Sequence, residues 1–403
     1  MGKRVLITGG LGFIGRSLAR TLVERGTQVR LMDNLSPQVH GPQMHGPQTN
    51  GPQTNGPQTN GAALGPAFGD LLDQHQVEVM AGDVCQRKDW VAAVDGVTDV
   101  VHLAAETGTG QSMYRIGDYT RTNVLGTALL LDVLANDSHQ VTKLALASSR
   151  SVYGEGAYRC GGCGLVYPPM RSLTSLQIGQ WEPLCPSCGG PINPVATPET
   201  ARTSPASVYA ATKLAQEELV RVACAALGIP FLIFRLQNVY GEGQSLHNPY
   251  TGILSIFSNR LRQGKLIPLF EDGQESRDFI HVSDVAEAMA LGLYAAGADG
   301  MTMNVGSGEQ VSVEAIARNL KKQFRGFSQI EVSGQYRLGD IRHNFADISV
   351  IRGALGFTPR VALAEGMVRF VKWVKTQPIA TDGAEDGLDR ANRELIERGL
   401  MKA

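Results

Sequence analysis

Short apolar, β-branched runs recur along this chain, and between most of them the apolar residues switch to helical spacing. Val5 to Thr8 is the first run, Gly9 to Gly15 is glycine-rich, and Ile14 to Arg25 carries apolar residues at helical intervals until Gly26 ends it. That pattern predicts strand, turn, helix. A second strand, Gln28 to Met32, stops at Asp33, and runs at Val77 to Met80, Val100 to Leu103, Lys143 to Ala147 and Phe231 to Phe234 alternate with helical stretches. The alternation predicts an α/β fold built on a parallel, doubly wound sheet, because parallel neighbours need a crossover and a helix usually supplies it.

Two stretches break the alternation. Residues 37 to 61 are five pentapeptides, PQVHG, PQMHG and three copies of PQTNG, with almost nothing to bury. Five residues are too few for a repeating structural module, so the expectation is a mobile surface loop between the second strand and the next helix, with a role in closing over cofactor or substrate left open by its place after Asp33. The second interruption, residues 157 to 196, holds Cys160 and Cys163 in CGGCG and Cys185 and Cys188 in CPSCGG. Each pair spans a tight turn that aims two thiolates at one point, and four thiolates close a tetrahedral Zn²⁺ site with no position left for substrate. A structural zinc ribbon is therefore expected.

Composition narrows the partners. At 403 residues the chain exceeds one ordinary hydrophobic core, and a net charge of −1 offers no basic field for nucleic acid. The insert carries only Arg159 and Arg171 against Glu182, too little for phosphodiester binding. No apolar stretch reaches about 18 residues and no signal-peptide core precedes the first strand, so a cytoplasmic protein without membrane contact is expected. Six cysteines, four of them in CxxC pairs, suit metal binding in a reducing compartment better than disulfides.

The chemistry begins at TGGLGFIG. Gly9, Gly12 and Gly15 between strand and helix let backbone N–H groups and a helix N-terminus approach a pyrophosphate. Asp33, at the end of the next strand, is placed to accept hydrogen bonds from an adenosine ribose, which favours NAD over NADP; the alternative is a helix or turn cap at DNLSP. Asp83, after the third run, either meets the adenine edge or only organises the turn in GDV. In YAATK, Tyr209 and Lys213 are spaced to share one helix face, where an ammonium lowers a tyrosine pKa toward working pH. By itself this spacing occurs by chance in many helices.

Taken in order, TGGLGFIG, HLAA (102 to 105), SSRSVYG, YAATK, RLQNVYG (235 to 241), RDFIHVSDVA (277 to 286) and RLGDIRH (337 to 343) resemble the extended short-chain dehydrogenase/reductases, the family of nucleotide-sugar epimerases and dehydratases. The resemblance covers nearly the whole chain outside the two inserts. It implies a Rossmann domain over residues 1–236, with 37–61 and 157–196 inserted and 278–303 returning to it, and a nucleotide-sugar lobe over 237–277 and 304–403. It also implies NAD held by Gly9, Gly12, Phe13, Ile14, Gly15, Asp33, Asn34, Asp83, Val84, Leu103, Ala104, Ala105, Tyr209 and Lys213. Ser149 stands where the family's serine or threonine bonds the reacting hydroxyl, Tyr209 where the acid/base stands, and Lys213 as its partner on the nicotinamide ribose. Asn238, Arg277 and Arg337 stand where the family grips the diphosphate, and a homodimer is the family's usual assembly.

One departure bears on reaction type. The family's 4,6-dehydratases carry an acidic pair after the serine or threonine, whereas this chain has Arg150 and Ser151. Elimination then lacks its acid and base, which points to the epimerases. The PQVHG segment, the four-cysteine insert and HNPYTGILSIF (247 to 257) further resemble the branch of that family acting on dTDP-L-rhamnose. The rivals are UDP-hexose or UDP-uronate 4-epimerases, a net reductase, and a non-catalytic NAD-binding regulatory protein with a zinc or redox lobe. The insert either forms a wall or lid of the substrate pocket, or orders a long loop or a subunit contact. His102 reads as a packed residue, His281 and Asp284 as turn and cap residues, His343 as a solvated loop histidine, and DRANRELIERGL as a helix docked on the body.

Overall fold

The computed structural model describes residues 2–40, 76–246, 248–250, 252–379 and 387–402. Seven strands form the central sheet: β1 (Arg4–Thr8), β2 (Gln28–Asp33), β3 (Val77–Ala81), β4 (Asp99–His102), β5 (Lys143–Ser149), β6 (Phe231–Leu236) and β7 (Thr302–Val305). They are ordered 3-2-1-4-5-6-7 and every neighbouring pair is parallel. Alternation along the strands splits their side chains between two cores. Val5, Ile7, Ala145 and Ala147 pack under helices Phe13–Glu24 and Val282–Tyr294. Leu6, Leu144 and Leu146 pack on the other face with Trp90, Leu130, Val133 and Val220 from helices Arg87–Val94, Gly126–Asn136 and Val208–Leu227. Both faces are covered, as an all-parallel sheet requires.

The strand order reverses between β1 and β4, so the loops leaving their carboxyl ends diverge and open a crevice. A third core lies beyond that edge, where helices Ile253–Arg262, Val313–Phe324 and Leu363–Thr376 pack Phe257, Ile316, Leu320, Phe370 and Val374 together. Ala346, Ile348, Ile351 and Phe357, although late in the chain, join the core under the main sheet.

The four-cysteine insert is a small three-stranded antiparallel unit in which Tyr158–Cys160 lies between Gly164–Val166 and Ile192–Pro194. Of the pentapeptide stretch, Pro37–His40 is described, and it is a short helix; the expected loop from 41 to 61 lies outside the described residues. Among the described residues no helix is long and apolar enough to cross a membrane.

Beneath the sheet Arg235 makes a two-pronged ion pair with Glu217, through Nε to Oε1 at 2.9 Å and Nη2 to Oε2 at 2.7 Å, and the carboxylate is fully buried. Arg235→Met should therefore leave Glu217 with only the longer 3.4 Å ion pair from Arg221 and cost about 3–5 kcal/mol. A urea-unfolding loss below about 1 kcal/mol would contradict this account of the pair.

Candidate functional site

A cleft of about 560 Å³ follows the crevice from the glycine turn to the smaller lobe. At one end Gly9 has φ +64, and a Cβ there would lie 3.1 Å from the backbone of Ala104. A Cβ on Gly15 would lie 2.7 Å from Gly10 Cα. Only glycine fits where the helix packs this closely on the turn, so its first N–H groups face the cleft without side chains in the way. Phe13, Ile14, Asn34, Val84, Leu103, Ala104 and Ala105 line the same end.

Asp33 ends β2 and is nearly buried. Its Oδ2 accepts from Leu11 N–H at 3.1 Å and its Oδ1 from Leu35 N–H at 2.9 Å, while His40 Nε2 stands 3.1 Å from Oδ1. The carboxylate thus ties the glycine turn to the chain after β2, and lone pairs remain for a ribose hydroxyl. Residues Pro37–His40 do not behave as a surface loop. Gln38, Val39 and His40 line the cleft, and Gln38 exchanges hydrogen bonds with Gln111. Composition could not reveal this, because partners distant in sequence order the segment. Asp83 does not line the cleft; its Oδ1 accepts from Cys85 N–H at 2.8 Å, the local turn role weighed for GDV.

The middle of the cleft joins the carboxyl end of β5 to the start of helix Val208–Leu227, which Ser207 caps by accepting from Ala210 N–H. Ser149 ends the strand and Tyr209 sits in the helix's first turn; both line the cleft, and Ser149 Oγ accepts from Ser151 N–H at 3.2 Å. Burial raises the Tyr209 pKa, and the Ser149 hydroxyl and the charge of Arg150 oppose the rise. Lys213, one turn further along the helix, is buried and donates to Ala147 O at 2.9 Å, the acceptor a buried amine requires. Burial lowers the Lys213 pKa to about 7, while Glu217 raises it. His102, buried between Thr8 Oγ1 at 2.8 Å and Thr127 Oγ1 at 3.0 Å, is pushed down to about 3 by burial and stays neutral.

The far end is cationic. Arg277 is fixed by the carbonyls of Ser276, Arg342 and Ile341 at 2.7–2.9 Å. Arg337 lies over the Phe270 ring at 4.4 Å and donates to Asn392, while its buried Nε has no protein partner. Asn238 accepts from Arg150 Nε at 2.8 Å. Such planar donors, held from behind, suit a diphosphate. Asp340, Glu275 and Leu388 also line this end, the last from the C-terminal helix Gly387–Glu397, which packs Leu388, Ala391 and Leu395 inward. Asp340 lies within the RLGDIRH motif but was not singled out there; Glu275 and Leu388 carried no sequence signal.

The insert contributes no residue to the cleft lining among the described residues. Its four cysteine sulfurs lie within 4.8 Å of one another, with Cys160 Sγ and Cys188 Sγ 3.6 Å apart. Sulfurs about 2.3 Å from a tetrahedral zinc stand about 3.8 Å apart, so the set fits that ion. Arg171 and Glu182 run from the insert into the body, Arg171 to Glu155 and Glu271, Glu182 to Arg342 and His343. His343 is thus buried against Ser276 and Glu182, not solvated. His281 caps helix Val282–Tyr294, but Asp284 instead accepts from Arg360 and Val361 N–H.

The sequence profile of the NAD dependent epimerase/dehydratase family matches residues 5–170 and 187–306. The chain belongs to this family. Its relatives include a dTDP-L-rhamnose 4-epimerase of Burkholderia thailandensis, 35% identical over 93% of this chain and 95% of that one. A putative UDP-glucose 4-epimerase of Methanocaldococcus jannaschii is 27% identical over 92% of this chain and 98% of its own. The fold is shared with the UDP-glucuronic acid 4-epimerase of Bacillus cereus, solved with UDP-glucuronic acid and NAD, at a TM-score of 0.71 and 22% identity, covering 92% and 99% of the two chains.

The glycine turn has a direct test. Gly15→Ala should weaken NAD binding at least about tenfold, because the added carbon pushes the helix off the turn; unchanged affinity by fluorescence titration would contradict the geometry described.

Proposed function

We propose that this chain is an NAD-dependent nucleotide-sugar 4-epimerase and that its substrate pair is dTDP-L-rhamnose and dTDP-6-deoxy-L-talose. The observation that carries the reaction class is the pairing of Ser149 with Tyr209 midway between the glycine turn and Arg277 and Arg337, with Arg150 and Ser151 following where elimination would call for carboxylates. The sugar assignment rests on the Burkholderia thailandensis relative.

In this reading Ser149 holds the 4-hydroxyl and Tyr209 takes its proton. NAD, when bound, accepts the hydride from carbon four and gives it back. Lys213 and Asp33 orient the two riboses, and Asn238, Arg277 and Arg337 keep the diphosphate anchored while the sugar turns over. Tyr209 then returns the proton to the oxygen on the inverted carbon, so no net oxidation remains.

A structural Zn²⁺ on Cys160, Cys163, Cys185 and Cys188 completes the assignment, in a cytoplasmic setting where thiols stay reduced. The insert then acts as a buttress. Arg171 presses on Glu271, a cleft residue, and donates to the carbonyl of Asp340 at 3.0 Å. The homodimer of the family is part of the same reading; exposed Val222 lies on helix Val208–Leu227, one of the outer helices available for pairing.

Incubation with catalytic NAD and dTDP-L-rhamnose, alongside UDP-hexoses and UDP-uronates, tests the reading. The expected result is the 4-epimer of dTDP-L-rhamnose without net NADH; NADH accumulation would indicate a reductase, and no turnover a regulatory protein. Tyr209→Phe should reduce kcat at least about 100-fold, and near-normal turnover would remove Tyr209 from the proton transfer. Metal analysis should find one zinc per chain, and stripping it should raise KM more than it lowers kcat and lower the melting temperature. Unmetallated, folded protein with four free insert thiols would refute the metal assignment.

A further inference from the structure

Beyond helix Leu363–Thr376 the chain returns to the cleft. Met401–Lys402 pairs antiparallel with Tyr336–Arg337, in the register Tyr336 to Lys402 and Arg337 to Met401, and Leu338 N–H donates to Leu400 O at 2.9 Å. In helix Gly387–Glu397, which precedes that strand, Leu388, Ala391 and Leu395 are buried, and Leu388 lines the cleft. A segment at the end of a chain is ordered only where it is tied down, and here the ties converge on the cationic end of the cleft.

The polar side chains of this helix reach both walls. Glu394 Oε2 lies 2.7 Å from Tyr114 Oη and 3.0 Å from Tyr250 Oη. Tyr114 follows helix Thr109–Ser112 on the β4 side, whereas Tyr250 precedes helix Ile253–Arg262 of the smaller lobe and lines the cleft. Arg398 lies over the Tyr114 ring at 4.3 Å, and Asp389 pairs with Arg260 at 2.8 Å. Asn392 faces Arg337 and accepts from its Nη2 through Oδ1 at 2.7 Å.

The two arginines at this end are held differently. Three backbone carbonyls fix Arg277, but among the described residues Asn392 Oδ1 is the only protein atom that accepts a hydrogen bond from the Arg337 side chain. The Phe270 ring, 4.4 Å from the guanidinium carbon, limits the tilt of the guanidinium plane but not its rotation within that plane. An acceptor at one corner of the fork stops the rotation.

We propose that the C-terminal segment Gly387–Lys402 is part of the diphosphate site, with Asn392 as the positioning residue for Arg337. Its amide oxygen takes one Nη2 hydrogen and fixes the fork, which leaves Nε and the remaining N–H groups for the phosphate oxygens of a nucleoside diphosphate. Glu394, two residues on, keeps the helix seated between the walls. The inference rests on the reading of Arg337 as a diphosphate ligand; it concerns binding of the nucleotide and not the reaction at the sugar.

The test uses the full chain, with dTDP and UDP as sugar-free probes in calorimetric titration. Asn392→Ala should raise the Kd of both about tenfold, because a hydrogen bond to a charged group is lost and the fork is released. NAD affinity and melting temperature should not change. In an Arg337→Met background the same substitution should change Kd less than about twofold, since an effect that runs through Arg337 disappears with it. In turnover, KM for the nucleotide sugar should rise about tenfold while kcat stays within about threefold. Glu397→Ala, exposed on the last turn of the same helix, is the control and should match the unaltered protein. Unchanged dTDP affinity in Asn392→Ala would overturn the proposal, as would a loss that persists without Arg337, an equal loss of NAD affinity, or an unaltered protein that binds neither nucleotide. The expected loss in a protein that turns over no nucleotide sugar would support the role of Asn392 while removing the epimerase reading.

Discussion

Arg171 lies between Glu155 and Glu271, and Arg342 reaches Glu271, Asp272 and Glu182, so two guanidinium groups and four carboxylates fill the space where the catalytic strand, the four-cysteine insert and the smaller lobe meet. The side chains of Arg171, Glu155, Glu271 and Arg342 are at most 4% exposed. Against well-packed apolar residues such a cluster adds little stability, but any one of its charges left alone there would be strongly unfavourable. The three segments therefore come together as a set. Arg342 N–H also donates to Glu155 Oε2, and the Arg342 carbonyl accepts from Arg277, so the same cluster places the cationic end of the cleft.

That dependence gives the insert a role without touching the cleft. A unit whose own core is only Tyr158, Cys160, Val166, Cys185 and Ile192 has too little apolar area to order itself, and a metal on four sulfurs would supply what is lacking. Once ordered, it presents Arg171 and Glu182 to the body. Continuity runs from the sulfurs through Arg171 to Glu271 and the carbonyl of Asp340.

The electrostatics of the cleft are graded. Its dinucleotide end relies on backbone N–H groups and the Asp33 carboxylate, its far end on Arg277 and Arg337, and its middle on a phenol whose ionisation burial opposes. Burial also lowers the Lys213 pKa, against the charge of Glu217. Arg150, next after Ser149, leaves no acid at that position for elimination.

Tyr209 and Lys213 stood out in the sequence only beside the other family motifs, since a four-residue spacing is common in helices, whereas the sheet and the glycine turn were legible because they rest on local rules, apolar alternation and glycines between strand and helix. The four cysteines were legible for the same reason, since each pair spans one turn. Tertiary structure alone decided which acceptor Lys213 faces, that Gln38 pairs with Gln111, that Asn392 bonds Arg337 and that Leu388 from the C-terminal helix reaches the cleft. Each of these depends on a partner tens to hundreds of residues away, or on burial that removes water as the alternative partner. Spacing along a chain carries neither kind of information, because it records which groups can be neighbours on one element and not what another element brings to them.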